Sequence, residues 1–243
     1  MGEFNRAIPL YRSVIAGGYT DDSILHEFCL CLRRVGSYEE VRSTIEKYSD
    51  NVSRNVYLLS AKASIEIGAG EFAKAKQTID VLARLPDNRE TAAEKRAVLI
   101  AKETQDYQKA LRIVDEAIER AKNSPVQRVP DLHATRCLIY CKLGMTSEAR
   151  DDMNIVGNHH QNGEAVAPRL AVHILLSESR PLDALAAFEQ LKGKTRIDGI
   201  LKRDILQAML KEPTISLFRR KEIEAMYAES AIKSAIFTEF DMH

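Results

Sequence analysis

The 243-residue chain has no tryptophan and only four cysteines. So few thiols exclude a dense disulfide scaffold and are typical of a reducing compartment. The 35 basic and 35 acidic residues cancel, which argues against a dedicated nucleic-acid-binding protein. No apolar run approaches the length of a membrane span, and Met1–Phe4 lacks the basic and apolar regions of a signal peptide. We therefore expect a cytoplasmic protein with no membrane partner.

Motifs of catalysis and cofactor binding are also missing. Gly17-Gly18 is not followed by the lysine and the serine or threonine of a phosphate-binding loop. His159 and His160 fall in a predicted turn, where a solvated loop explains them without a metal. No serine or cysteine can be placed beside a histidine and a carboxylate, because nothing in the sequence defines distances beyond neighbouring helices. We expect no enzymatic activity, no cofactor and no metal.

The four cysteines fit a packing role better than a metal site. His133, Cys137 and Cys141 are spaced by four residues, so they share one helix face and could ligate zinc. However, His133 and Cys137 fall at positions where the helix pattern places the core, and cysteine is a good small buried residue. The pattern predicts reduced thiols, with Cys29 and Cys137 buried.

A turn signal recurs at nearly constant spacing and organises most of the chain. Successive signals are separated by 34, 34, 35, 39 and 35 residues, a period typical of stacked helical repeats. A small residue follows three positions later and a larger apolar residue four positions after that, so both lie on one helix face. The signals are at Phe4, Tyr38, Phe72, Tyr107, Thr146 and Pro181, and the small residues are Ala7, Val41, Ala75, Ala110, Ala149 and Ala184.

A second helical segment precedes each signal after the first. Ser37 and Asp106 are suitable N-cap residues, and glycines 36, 70 and 144 lie where left-handed turns are needed. After Lys192 the pattern fades into about two more helices, the last running to about Phe237. The five preceding segments are Asp22–Val35, Asn55–Ile67, Arg89–Glu103, Asp131–Leu143 and Ala165–Ser179.

The motif Gly70-Glu71-Phe72, with Ala75 three residues on and the 34-residue period, resembles the tetratricopeptide repeat. The resemblance implies an all-α fold, a right-handed α-solenoid of about thirteen antiparallel helices. It covers residues 1–193, which begin in mid-repeat, and leaves residues 194–243 as C-terminal helices that are repeat-like or capping. Thr146 and Pro181 depart from the family pattern, as does the missing tryptophan.

In tetratricopeptide proteins the first helix of each repeat lines a concave groove that binds peptides. The resemblance therefore implies a protein-interaction scaffold whose partner is another protein or peptide. The basic groups among the groove positions indicate a partner with acidic groups. Carried onto this sequence, the groove positions are His26, Tyr57, Ser60, Ser64, Lys95, Arg96, Thr135, Arg169 and His173.

Two other functions remain open at this point. The chain could be a regulatory segment of a larger bacterial signalling protein, an NTPase or a transcription regulator, because its first repeat lacks its first helix. It could also bind RNA, as related helical repeats do, although the neutral net charge argues against this. The missing helix further predicts that Phe4, Ile8, Tyr11 and Ile15 stay partly uncovered, so that the N-terminal helix could mediate self-association.

Overall fold

A computed structural model describes residues 2–86, 88–122, 129–159, 163–191, 198–213 and 215–231. These residues form fourteen α-helices and no strand, which confirms the all-α prediction. In chain order the helices are α1 (Gly2–Ala16), α2 (Asp22–Val35), α3 (Tyr38–Lys47), α4 (Ser49–Val52), α5 (Val56–Gly68), α6 (Phe72–Leu82), α7 (Arg89–Glu103), α8 (Tyr107–Ala121), α9 (Val129–Leu143), α10 (Thr146–His159), α11 (Gly163–Ser177), α12 (Pro181–Glu189), α13 (Asp198–Lys211) and α14 (Leu217–Ala231).

The helix boundaries agree closely with the periodic pattern. The bounds of α2 and α7 are those predicted, and the other first helices begin within two residues of the prediction. The four-residue helix α4 was not predicted, because a single turn carries no detectable period. His160 and the stretch from 232 to the predicted end at Phe237 lie outside the described residues.

Side-chain caps explain where several helices begin. The carboxylate of Asp21 accepts hydrogen bonds from the Ser23 and Ile24 amides, each at 3.1 Å. Asp106 accepts from the Lys109 amide at 2.9 Å, as predicted. Ser37 occupies the N-cap position of α3, as predicted, but its hydroxyl makes no cap hydrogen bond. These caps satisfy backbone N–H groups that have no partner within the helix.

Three turns depend on glycine. Gly36, Gly70 and Gly144 have φ angles of 77°, 74° and 72°, in the left-handed region that favours a residue without a side chain. Each ends a first helix and redirects the chain into the second helix of the pair. The predicted positions of these turns are confirmed.

Helices pack against their neighbours in the chain. Consecutive helices contact each other, and α2, α5, α7, α9, α11 and α13 also contact one another in sequence, forming what we call the first-helix row. The predicted small residues are buried between packed helices. Five of them have no exposed surface: Val41, Ala75, Ala110, Ala149 and Ala184.

The buried apolar residues form two clusters that meet at α11. Leu170 and Ile174 belong to the larger cluster, which extends back to α1, whereas Val172 belongs to the smaller one. The smaller cluster joins Phe188 of α12 to Ile205 of α13. Buried packing therefore continues across the predicted boundary at residue 193, and the division into two segments stays a prediction.

The apolar face of the N-terminal helix is partly covered, as the sequence suggested, since Phe4, Tyr11 and Ile15 are only partly buried. Ile8 is buried, and the Tyr11 ring packs against Phe28 of α2 with 6.3 Å between ring centroids. This face therefore packs on α2 without being fully covered, and the more exposed apolar residues of the helix are Leu10 and Val14. Self-association through this helix stays a prediction.

No helix in the described ranges is long and apolar enough to cross a membrane. The same residues hold no group of three or more potential metal-ligating side chains. Cys29 and Cys137 are buried, as predicted, whereas Cys141 is only partly buried. Burial raises the pKa of Cys29 to about 12. A hydrogen bond from the Cys137 thiol lowers the pKa of Cys141.

These environments predict selective alkylation. Native Cys29 should remain unmodified by iodoacetamide at about pH 10, because its thiol stays protonated, whereas Cys141 should react first. Since the folded-state pKa of Cys29 lies above the ordinary value of 9.0, the stability gained by burying the neutral thiol should be lost as pH rises from 9.0 towards about 12. Peptide mapping by mass spectrometry measures the order in which the cysteines are alkylated. Equal alkylation rates for Cys29 in the native and denatured protein would contradict the prediction.

Candidate functional site

All nine predicted groove residues fall on helices of the first-helix row. Each first helix contacts the next one in the row. Residues on successive helices of the row therefore lie near each other although they are far apart in sequence. His26 lies on α2, Tyr57, Ser60 and Ser64 on α5, Lys95 and Arg96 on α7, Thr135 on α9, and Arg169 and His173 on α11.

Apart from Arg96 on α7, the accessible part of this set lies on α2 and α5. The rings of His26 and Tyr57 stack, with 4.6 Å between centroids and 29° between planes. Tyr57 is 53% exposed, and Ser60, almost one turn further along α5, is partly exposed. The Asn55 side chain caps the start of α5 by accepting from the Leu58 amide at 3.0 Å, which holds Tyr57 near the helix end. The structure thus brings two predicted residues together as an accessible aromatic pair.

The remaining groove residues are mostly buried. Lys95 is 7% exposed, and its Nζ lies 3.0 Å from Oε1 of Glu94, which is also buried. Ser64, Thr135 and His173 are buried too, and the Thr135 hydroxyl has no hydrogen-bond partner. Burial of these side chains means that they do not offer the open charged surface expected from the sequence.

Arg169 makes a two-pronged ion pair with Asp198 of α13. Its Nε lies 2.7 Å from Oδ1 and its Nη2 lies 2.9 Å from Oδ2, and both residues are buried. Two parallel hydrogen bonds between guanidinium and carboxylate define an orientation as well as an attraction. The pair therefore fixes α13 against α11, at the point where the repeat pattern fades.

Positive charge collects near this ion pair. Burial lowers the pKa of Arg34, at the end of α2, and the nearby charges of Arg33 and Arg169 lower it further. The carboxylate of Asp198 acts on the same pKa in the opposite direction. Arg34 of α2 therefore lies within electrostatic range of Arg169 on α11 and Asp198 on α13.

Arg96 points away from the other groove residues. Its Nη2 lies 3.0 Å from Oδ1 of Asp80, on the second helix α6, and both side chains are about half exposed. Exposed pairs of this kind contribute little to stability. The contact places Arg96 on the side of the second helices, whereas the sequence placed it in the groove.

The structure also contains a buried network that the sequence did not reveal. Asp152 of α10 is 1% exposed, and its Oδ1 lies 2.5 Å from Nδ1 of His133 on α9. Arg136 donates to both oxygens of Asp152 at 2.8 Å and to Asp115 of α8 at 2.7 Å. The hydrogen bonds to Asp152 raise the pKa of Arg136. The network joins three helices and accounts for His133 without a metal.

Comparison with known proteins adds no assignment to this geometry. No protein-family model matches the chain, and neither the curated proteins nor the solved structures include a significant match.

The Arg169–Asp198 pair predicts an asymmetry between two arginine substitutions. Arg169→Met leaves a buried carboxylate without its counter-charge, so the free energy of unfolding should fall by about 3–5 kcal/mol. Arg96→Met breaks only an exposed pair and should cost less than about 1 kcal/mol. Urea unfolding followed by circular dichroism measures both, and equal losses would contradict the burial of Arg169.

Proposed function

We propose that this chain is a tetratricopeptide-type scaffold that binds a segment of another protein along the first-helix row. In this proposal the helix pairs wind into a right-handed solenoid with the row on its concave side. The repeating turn signals, the buried small residues and the contacts between successive first helices support it. A solenoid of this kind presents an extended binding surface because each repeat contacts only its neighbours.

The stacked pair of His26 and Tyr57 is the observation that carries the proposed site. A half-exposed tyrosine beside an imidazole offers a rigid apolar face together with polar atoms, a combination that is enriched at protein interfaces. The hydroxyl of Ser60 lies close by on the same helix. We place the partner's first contacts here and not at the buried Lys95.

The proposed partner carries acidic groups. Lys95 is paired to Glu94 and Arg169 to Asp198, so the charges of these two groove residues are already compensated. The support for an acidic partner therefore comes from the end of α2. Arg34 adds positive charge there, close to an ion pair that is already neutral. Arginines hold carboxylates through parallel hydrogen bonds, so an acidic segment could be oriented as well as attracted.

An affinity-capture comparison tests the proposed surface. The double variant His26→Ala, Tyr57→Ala should lose proteins that the parent retains, with enrichment falling about tenfold or more, equivalent to about 1.4 kcal/mol. Leu182→Ala removes a 55% exposed side chain from the second helix α12 and should retain the same proteins. Quantitative mass spectrometry measures enrichment, and circular dichroism should show unchanged melting for both variants.

If the double variant retains the same proteins while the Leu182 variant loses them, the partner does not bind at the first-helix row. If the parent enriches nothing over an empty matrix in either low or high salt, the scaffold proposal itself fails.

A further inference from the structure

A second concave site lies on the other side of α5. It is an open cleft of about 600 Å³ between α3, α4, α5 and α6, a size typical of small-molecule or side-chain pockets. On α5 it is lined by Leu59, Lys62 and Glu66. These positions are offset by two residues from Tyr57, Ser60 and Ser64, which corresponds to about 200° around the helix. The cleft therefore faces away from the proposed groove.

Glu66 provides the unusual chemistry of this cleft. The residue is 7% exposed, and its Oε2 is buried without a hydrogen-bond partner. The nearest cation, Nζ of Lys62, lies 3.9 Å from the other oxygen, Oε1. Burial raises the pKa of Glu66, and a side-chain hydrogen bond with Thr78 acts in the opposite direction. A buried carboxylate oxygen without a donor is costly, so the site favours an occupant that supplies one.

The other charges around the cleft do not supply that donor. Arg42 and Lys74 are both bound to Glu71, at 2.8 and 3.0 Å. Glu46, on the α3 wall, adds a second carboxylate to the lining. Lys62 is the lining cation nearest to Glu66, and it makes no contact with the buried Oε2. The lining as a whole carries two lysines and two glutamates, so its net charge is zero.

Part of the lining is apolar. Val52, Leu59 and Val81 line the cleft with hydrocarbon, and the first two are buried. Such a wall suits an aliphatic stem that carries a charged head, because long basic groups bury their methylenes while keeping the charge solvated or paired.

We infer that this cleft binds an aliphatic amine or guanidine, whose charged head donates to Glu66 and Glu46 while its stem packs on Val52, Leu59 and Val81. The same chemistry occurs in free diamines and polyamines and in the lysine or arginine side chains of a partner protein.

Calorimetric titration of the purified chain with agmatine, spermidine and an acetylated, amidated Gly-Arg-Gly peptide tests the site. At least one of these probes should bind, and 1-butanol, which has the stem without the charge, should not. Stronger binding of the free amines indicates a small-molecule site, whereas stronger binding of the peptide indicates a partner side chain. No binding by any of the three cationic probes would overturn the inference.

Charge-removing variants locate the contact. Glu66→Gln keeps the side-chain size, and affinity for the bound probe should fall about tenfold or more. Glu46→Gln, at an exposed position, should weaken binding without affecting the fold. The matched control Glu116→Gln changes a 72% exposed carboxylate on α8 and should leave affinity unchanged.

The melting temperature of the unliganded variant provides a second readout. Because the Glu66 carboxylate is buried and poorly paired, Glu66→Gln should melt at or above the parent temperature. A clear decrease would show that the carboxylate is already satisfied by its neighbours. That decrease, or unchanged probe affinity in both Glu66→Gln and Glu46→Gln, would overturn the inference while leaving the first-helix row proposal intact.

Discussion

Close approach of neighbouring helices is the constraint on which the rest of the structure depends. In five of the second helices, the residue three positions after the turn signal has no exposed surface, and in four of these five it is alanine. A small side chain there allows the adjacent helix axes to come near, and the larger apolar residues pack beside the contact. Because this arrangement repeats at nearly constant spacing, each helix pair is stacked on the preceding pair.

Buried charges then hold the stacked helices in one arrangement. Asp152 ties α10 to α9 through His133 and Arg136, and Asp198 ties α13 to α11 through Arg169. Such groups are expensive to bury unless each is paired, so the alternatives to this packing would leave charges without partners. At the α2 end of the row, His26 stacks on the exposed ring of Tyr57.

Most of the fold was predictable because helix periodicity is a local property of the sequence. The bounds of α2 and α7, the left-handed glycines and the burial of Ala75 and Ala110 all follow from residues within a few positions of each other. The site was predictable only in part. The partner of Arg169 is 29 residues away, where the repeat pattern has faded. A periodic pattern gives the face on which a residue lies, but it does not reveal which charge faces it from another helix.

The unfolding free energy of two adjacent leucine variants tests the stacking account most directly. Ala110 has no exposed surface, whereas its neighbour Lys109 is exposed. The account predicts that Ala110→Leu loses about 1–3 kcal/mol in urea unfolding, because the larger side chain forces the helices apart. Lys109→Leu should change the same quantity by less than about 0.5 kcal/mol. Equal and small effects at both positions would contradict a structure built on close contact at the small residues.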